Sequence, residues 1–199
     1  MAEIKLLISD FDGTLVDTFE ANYRAYKKAF QEYKIDFSRK KYTTYFGLRF
    51  DDFMNRMGIC DEITKNRIRD LKSNYYPLYF NEFIVNKPLL CMLKSFRISG
   101  GMTALASTAR YKNLINAIRY IDAEDTFTLI LSGEDVVHGK PNPEIYNTIL
   151  EKLNVHPEEA VVFEDSSVGI VAAQNAGIPF IKINRAYFKN GNDTESNIF

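Results

Sequence analysis

The chain shows two hydrophobic patterns, one of short apolar runs and one that is helical throughout. Short, mostly apolar runs predict buried strands at 4–8, 103–106, 128–131, 161–163 and 180–183. Helical patterns predict helices at 89–96, 112–121, 143–153 and 167–176, the third with Asn142 as its N-cap. Alternation of this kind is typical of a parallel sheet that helices cover on both faces. The sequence therefore predicts an α/β core.

Between the first strand and the others lies a block, residues 18–83, in which every predicted element is a helix. Its first helix carries aromatic residues at steps of three and four, namely Phe19, Tyr23, Tyr26, Phe30 and Tyr33. We interpret this stripe as the core of a helical unit and not as a ligand site. We predict that residues 17–86 form an inserted all-α cap, which acts as a lid. Residues 1–16 and 87–199 are predicted to form the catalytic core.

Further signals place the remaining helices of this block. A second helix is predicted to begin near Ser38 and a third to span 50–57, where Gly58 would end it. A fourth is predicted over 62–80, and Pro77 should kink it or stop it early. At the other end of the chain, the polar tail from Tyr187 is predicted to fray.

Composition narrows the functional classes. The 199 residues include 46% hydrophobic and 26% charged ones, as in ordinary globular proteins, and the net charge is -1. This balance argues against a nucleic-acid partner, which usually requires a basic surface. We expect no membrane span, because no apolar run approaches roughly 18 residues, and no signal peptide at Met1. With Cys60 and Cys91 as the only cysteines, we expect reduced thiols and a cytoplasmic protein.

Acidic residues directly follow the first predicted strand. Asp10 and Asp12 are two apart in what we predict to be extended backbone, so both side chains should point the same way. Neighbouring carboxylates repel each other, and a cation such as Mg²⁺, which prefers oxygen ligands, would neutralise them. The alternative is a polar strand end that turns at Gly13.

Two more predicted strands end in polar residues. Glu164 and Asp165 follow the strand at 161–163, and Ser107 and Thr108 follow the strand at 103–106. Because ligands of open parallel sheets bind beyond the carboxyl ends of the strands, these ends predict a common site. Taken alone, Glu164 and Asp165 are equally compatible with the N-terminal cap of the next helix.

Lys140 lies in the segment Gly139-Lys140-Pro141-Asn142-Pro143, where two prolines restrict the backbone. Such a scaffold suits a lysine that holds a phosphate and a carboxylate in register. The alternative is an exposed loop lysine without a function.

Together these segments resemble the four motifs of the haloacid dehalogenase superfamily, in the family's order. The matching segments are Asp10-Phe11-Asp12-Gly13-Thr14-Leu15-Val16-Asp17-Thr18, Leu105-Ala106-Ser107, Lys140 before Pro141, and Phe163-Glu164-Asp165-Ser166 with Gly169-Ile170. The resemblance spans nearly the whole chain up to Ile183. It implies a Rossmann-like core, and the inserted block resembles the helical cap of the phosphoglycolate phosphatase and β-phosphoglucomutase branches.

The resemblance implies hydrolysis of a phosphate ester through a phosphoryl-aspartate intermediate. Asp10 would be the nucleophile, and Asp12 would protonate the leaving alcohol and then activate water. Lys140 would pair with Asp10 and the phosphate. The residues implied to contact the phosphate are Thr14, Ser107, Thr108 and Lys140.

The resemblance also implies a bound Mg²⁺. Asp10 and Asp165 would bind it through their carboxylates and Asp12 through its backbone carbonyl, while Glu164 would be either a further ligand or a residue behind the ligands. In the cap, Gly47-Leu48-Arg49 resembles a substrate loop. Arg49 would bind a second anionic group of the substrate or be an exposed arginine at a helix start.

Two positions at which this chain differs from particular branches of the family bear on which activity the resemblance implies. The dehalogenase branch has tyrosine at the position of Asp12, so carbon–halogen chemistry is not implied. The mutase branch has a cap histidine near the position of Asn22, whereas His138 and His156 lie in predicted loops outside the cap and should face solvent. The sequence thus predicts a phosphatase of a small phosphorylated metabolite. A sugar-phosphate mutase and a non-catalytic binding module are the alternatives.

Overall fold

The computed structural model describes residues 3–46, 48 and 50–190. The chain forms two compact units, with boundaries between Asp17 and Thr18 and between Phe83 and Ile84. The predicted cap limits, 17 and 86, remain a prediction.

The strands are β1 (Leu6–Ser9), β2 (Val16–Asp17), β3 (Ile84–Val85), β4 (Met102–Ala106), β5 (Leu129–Leu131), β6 (Ala160–Glu164) and β7 (Phe180–Lys182). The α-helices are α1 (Phe19–Gln31), α2 (Arg39–Tyr45), α3 (Phe50–Arg56), α4 (Glu62–Tyr75), α5 (Lys87–Ile98), α6 (Tyr111–Tyr120), α7 (Glu144–Leu153), α8 (Ser167–Asn175) and α9 (Ala186–Asn190). Short 3₁₀ helices span Tyr76–Glu82, Glu124–Thr126 and Pro157–Glu159.

The larger unit is built on a parallel sheet in the order β5-β4-β1-β6-β7. The central strand β1 pairs Leu6 with Met102 on one side and with Ala160 on the other. All of its residues are buried, as expected for a strand that is covered on both faces. The α/β prediction is confirmed. Since the strands are parallel, their carboxyl ends meet at one edge.

The smaller unit is helical, and its interior is largely aromatic. The stripe on α1 packs as predicted, with Phe30 buried 4.7 Å from Phe37 between ring centroids. Basic side chains lie over rings at the border of this cluster, as Lys72 does over Tyr76 at 4.0 Å. Ser38 caps α2 through a hydrogen bond from the amide of Lys41.

Several predicted boundaries need correction. The helix predicted over 62–80 ends at Tyr75, so the early stop expected from Pro77 is confirmed, and Pro77 lies in the first turn of the 3₁₀ helix that follows. Helix α7 begins at Glu144, one residue after the predicted start. The predicted fraying from Tyr187 is wrong as far as Asn190, because α9 forms and Phe188 is only 1% exposed. The strands β2 and β3 were missed, since two residues are too few for a periodic signal.

Two general features complete the fold. None of the helices in the described part of the chain has the length and apolar content needed to cross a bilayer. Cys60 and Cys91 are both free and exposed.

Candidate active site

The loop after β1 carries the first two predicted site residues. Asp10 continues the backbone pairing of β1 with β6, because its N–H donates to the carbonyl of Phe163 at 3.0 Å. The chain then turns: the carbonyl of Phe11 accepts hydrogen bonds from the next residues of the loop, including Leu15 at 3.1 Å. The continuous extended backbone that we predicted from Asp10 to Asp12 is therefore wrong.

Three carboxylates lie together beyond the ends of β1 and β6. One oxygen from each of Asp10, Glu164 and Asp165 lies within 4.8 Å of the others. Burial first, and then the neighbouring charge of Glu164, raises the pKa of Asp10 well above its usual range, and burial also raises the pKa of Asp165. A cluster of buried carboxylate oxygens that repel one another fits a hard divalent cation.

Lys140 is buried in this cluster, with only 5% of its surface exposed. Its Nζ donates to Asp10 Oδ1 at 2.7 Å, to Glu164 Oε1 at 2.5 Å and to the carbonyl of Ala106 at 3.0 Å. Burial lowers the pKa of Lys140, but the Asp10 and Glu164 carboxylates outweigh this effect and raise it well above its usual range. The alternative of an exposed loop lysine is therefore excluded.

Glu164 is fully buried, and both of its oxygens accept hydrogen bonds. Oε2 accepts from the amide and the hydroxyl of Ser166, both at 3.0 Å, which places this carboxylate beside the start of α8. Oε1 accepts from Lys140 and from the hydroxyl of Tyr146 at 3.3 Å. Glu164 thus accepts a hydrogen bond from Lys140 and also one from the amide of Ser166, the residue before α8. Both the functional interpretation and the helix-cap alternative therefore describe part of its contacts.

Sequence reasoning missed the role of two residues around this carboxylate. Tyr146 is a fully buried residue of α7, and Lys140 Nζ lies 5.3 Å from its ring centroid. A side chain on Gly169 would overlap the carboxylate of Glu164, so this position requires glycine. A glycine inside a helix, which costs about 1 kcal/mol relative to alanine, is the signal that could have indicated close packing at Gly169.

Asp165 is held from two sides. Its Oδ1 accepts from the hydroxyl of Thr14 at 3.2 Å, and its Oδ2 accepts from Arg185 Nε at 2.6 Å. The hydroxyl of Thr14 thus contacts a carboxylate, and its predicted contact with a phosphate remains a prediction. Arg185 was also missed, because it lies close to the segment that was expected to fray.

The other residues singled out from the sequence differ in burial and in their distance from the carboxylates. Ser107 is buried at the end of β4, and its hydroxyl lies 3.5 Å from Asp12 Oδ2. Thr108 is exposed. Gly47 and Arg49 lie outside the described residues. The two histidines are exposed as predicted, with His138 Nδ1 2.9 Å from Glu144 Oε2.

A comparison with protein families identifies the chain. The model of the family described as haloacid dehalogenase-like hydrolase matches residues 7–183. The chain belongs to this family. The candidate site residues predicted in the larger unit fall at the carboxyl ends of β1, β4 and β6 and in the loop before α7, within the matched segment, and Arg185 lies just beyond it.

Relatives within the haloacid dehalogenase-like hydrolases are phosphatases and mutases. The chain is 32% identical to a phosphorylated carbohydrates phosphatase from Thermotoga maritima, over 88% of this chain and 82% of that protein. It is 27% identical to a beta-phosphoglucomutase from Bacillus subtilis, over 88% and 81%. The crystal structure of CbbY from Rhodobacter sphaeroides in complex with phosphate matches with a TM-score of 0.82 and 25% identity, over 92% and 88%. These relatives indicate a phosphoric monoester hydrolase.

Proposed function

We propose that this chain hydrolyses a small phosphate monoester, in the first place a phosphorylated carbohydrate, with Mg²⁺ and through a phosphoryl-aspartate on Asp10. The observation that carries the proposal is the buried ammonium group of Lys140, 2.7 Å from Asp10 Oδ1. A fixed positive charge beside a nucleophilic carboxylate suits the transfer of a negatively charged phosphoryl group. The phosphatase from Thermotoga maritima supports the carbohydrate class.

In the first step, a carboxylate oxygen of Asp10 forms a bond to phosphorus, and the bond from phosphorus to the ester oxygen breaks. Because Lys140 holds Oδ1, we expect Oδ2 to attack. The leaving oxygen takes a proton from Asp12. The family resemblance assigns this role to Asp12, whose Oδ2 lies 3.5 Å from the hydroxyl of Ser107.

In the second step, Asp12 takes a proton from a water molecule as the water oxygen bonds to phosphorus. The bond between phosphorus and Asp10 then breaks. Inorganic phosphate leaves, and both aspartates return to their starting protonation states. The role of Lys140 in both steps is to stabilise the charge on Asp10 and on the phosphoryl oxygens.

The carboxylates of Asp10 and Asp165, with Glu164 beside them, are the groups that would hold Mg²⁺. Their separation of at most 4.8 Å and their burial support this assignment. When bound, the cation would neutralise negative charge on the phosphoryl group. We assign the first contacts to Asp10 and Asp165, as the family resemblance implies, and regard Glu164 as the partner of Lys140 and Ser166.

The direct test is a screen of phosphorylated metabolites for release of inorganic phosphate. We expect turnover of at least one phosphorylated carbohydrate in Mg²⁺, loss of turnover in excess chelator, and recovery when Mg²⁺ is restored. Full activity in chelator would remove the cation from the mechanism. No turnover of any phosphate ester would favour a non-catalytic binding module.

Mg²⁺ should also stabilise the fold, and more so at high pH. The raised pKa values of Asp10 and Asp165 mean that the folded, cation-free protein holds protons that the unfolded chain has already released. Its stability therefore falls as the pH rises through these values. A cation replaces those protons, and at a hundredfold excess over its dissociation constant it adds about 2.7 kcal/mol to the free energy of unfolding.

Thermal unfolding with and without Mg²⁺ over a pH series measures this effect. We expect the Mg²⁺-dependent shift to grow as the pH rises, and to grow less in Asp165→Asn. A shift that stays constant over the whole series would show that the carboxylates are ionised before the cation binds.

The relative that is a beta-phosphoglucomutase makes a mutase the second candidate. We favour the hydrolase because Asn22 stands where the mutase resemblance would have a histidine, and an amide cannot relay a proton as imidazole can. In the helical unit, Asn22 is buried and its Nδ2 donates to Thr18 Oγ1 at 3.0 Å.

Product analysis separates the two activities. With a hexose 1-phosphate as substrate, in the presence of a hexose bisphosphate primer and Mg²⁺, we expect inorganic phosphate and little 6-phosphate. A dominant 6-phosphate would establish the mutase instead.

A further inference from the structure

An arginine side chain, Arg185, contacts the carboxylate cluster of Asp10, Glu164 and Asp165, and the sequence did not indicate this contact. Arg185 Nε donates to Asp165 Oδ2 at 2.6 Å, and the Asp165 side chain is only 4% exposed. The Arg185 side chain is 41% exposed, while its Nε–H is directed at a buried oxygen. The other oxygen of Asp165 accepts the longer bond from Thr14, at 3.2 Å.

The backbone on both sides fixes the position of Arg185. On one side, β7 pairs with β6, and the amide of Ile183 donates to the carbonyl of Glu164 at 2.8 Å. On the other side, Asn184 Oδ1 accepts from the amide of Ala186 at the start of α9, and the buried ring of Phe188 anchors that helix. Arg185 is thus held next to the residue that follows β6, which is Asp165.

The loop after β1 is shaped around the same pair. Gly13 has a φ of +92°, and a Cβ built there would lie 2.5 Å from Asp165 Oδ2 and would also overlap the guanidinium of Arg185. A side chain at this position would therefore displace both partners. The glycine lets the loop pack directly against the pair.

We propose that Arg185 is a positioning residue for the divalent cation. Its Nε–H holds Oδ2 of Asp165, and this fixes the orientation in which the carboxylate meets the ion. The inference rests on the proposed function, because cation binding by Asp165 is part of it.

A positive charge near a cation site could instead weaken binding by repulsion. Two observations decide for positioning. The Arg185 side chain is partly exposed, so that water screens its charge, whereas its hydrogen bond lies on the buried oxygen. Among the described residues, the longer bond from Thr14 would be left to orient the carboxylate. Removing such partners of metal ligands typically weakens metal binding about 10- to 100-fold.

Two substitutions separate the hydrogen bond from the charge. Gln carries its amide nitrogen at the same position along the side chain as Arg Nε, so Arg185→Gln keeps a donor without the charge. Arg185→Met removes both. Arg119→Met is the matched control, because Arg119 Nε donates to the exposed Glu124 at 2.8 Å on the surface.

The measurement is Mn²⁺ binding to the full chain, followed by the electron paramagnetic resonance signal of free Mn²⁺. We expect Arg185→Met to bind Mn²⁺ at least about tenfold more weakly than the wild type. Arg185→Gln should retain most of the affinity, and Arg119→Met all of it. Thermal unfolding without metal checks that each variant is folded. If Arg185→Met does not fold, Arg185→Ala, which also removes both the donor and the charge, takes its place in the comparison with Arg185→Gln.

The outcomes distinguish the inference from the proposed function. Equal or tighter binding by Arg185→Met, or an equal loss in both variants, would overturn the positioning role while the metal site stands. A loss of affinity in Arg185→Gln as large as that expected for Arg185→Met would overturn it too. If the wild type itself binds no Mn²⁺, the metal part of the proposed function fails first.

Discussion

Replacing Asp10 by asparagine should reduce turnover about a thousandfold or more, because the amide cannot form the phosphoryl intermediate. The substitution is nearly isosteric, and its Oδ1 can still accept the hydrogen bond from Lys140. It also removes one of the carboxylates that repel each other within 4.8 Å. The variant should therefore unfold at the same temperature as the wild type or at a higher one in the absence of cation.

The measurement is steady-state release of phosphate by Asp10→Asn and by the exposed control Asp125→Asn. The control should keep wild-type turnover. Substantial turnover by folded Asp10→Asn, after mass spectrometry has excluded reversion by deamidation, would rule out Asp10 as the nucleophile.

The second large effect is expected from Lys140→Met, in both activity and stability. Loss of an electrostatic stabiliser of this kind typically costs about 100- to 1000-fold in turnover. Lys140 also donates to Asp10 and Glu164, so its removal leaves buried carboxylates without their counter-charge. Breaking a buried ion pair from one side costs about 3–5 kcal/mol of stability.

A double variant separates the two roles of Lys140. Adding Glu164→Gln removes the second buried charge, so Lys140→Met with Glu164→Gln should recover part of the lost stability but none of the activity. Lys112→Met, at an exposed position on α6, is the control and should change neither. If the double variant regains turnover along with stability, Lys140 serves only the fold. If Lys140→Met alone is fully active, the electrostatic role is excluded.

The sequence predicted the fold best where the spacing of apolar residues was regular. The alternation of short apolar runs with helical patterns predicted a parallel sheet, and the structure has that sheet. The aromatic stripe on α1 predicted the packed face of a helix for the same reason: burial imposes a regular spacing on the residues that share it. The prediction of a parallel sheet covered by helices is confirmed, whereas the roles of the residues at the strand ends stay predictions.

Long-range contacts were harder to predict. From the sequence, Lys140 could equally be an exposed loop residue, because its burial arises from partners 130 and 24 residues away, Asp10 and Glu164. Arg185 follows β7 without a motif of its own, and only the pairing of β7 with β6 brings it to Asp165. The turn after Phe11 depends on hydrogen bonds that the alternation of Asp10 and Asp12 does not encode.

The central claim is that Asp10 carries the phosphoryl group beside a cation held with Asp165. The most direct measurement is a crystal structure of the wild-type chain with Mg²⁺ and beryllium trifluoride, a mimic of the bound phosphoryl group. We predict a bond from beryllium to a carboxylate oxygen of Asp10, with Lys140 in contact with the mimic and Mg²⁺ bound to Asp10 and Asp165. Beryllium bonded to another side chain, such as Asp12, would contradict the account.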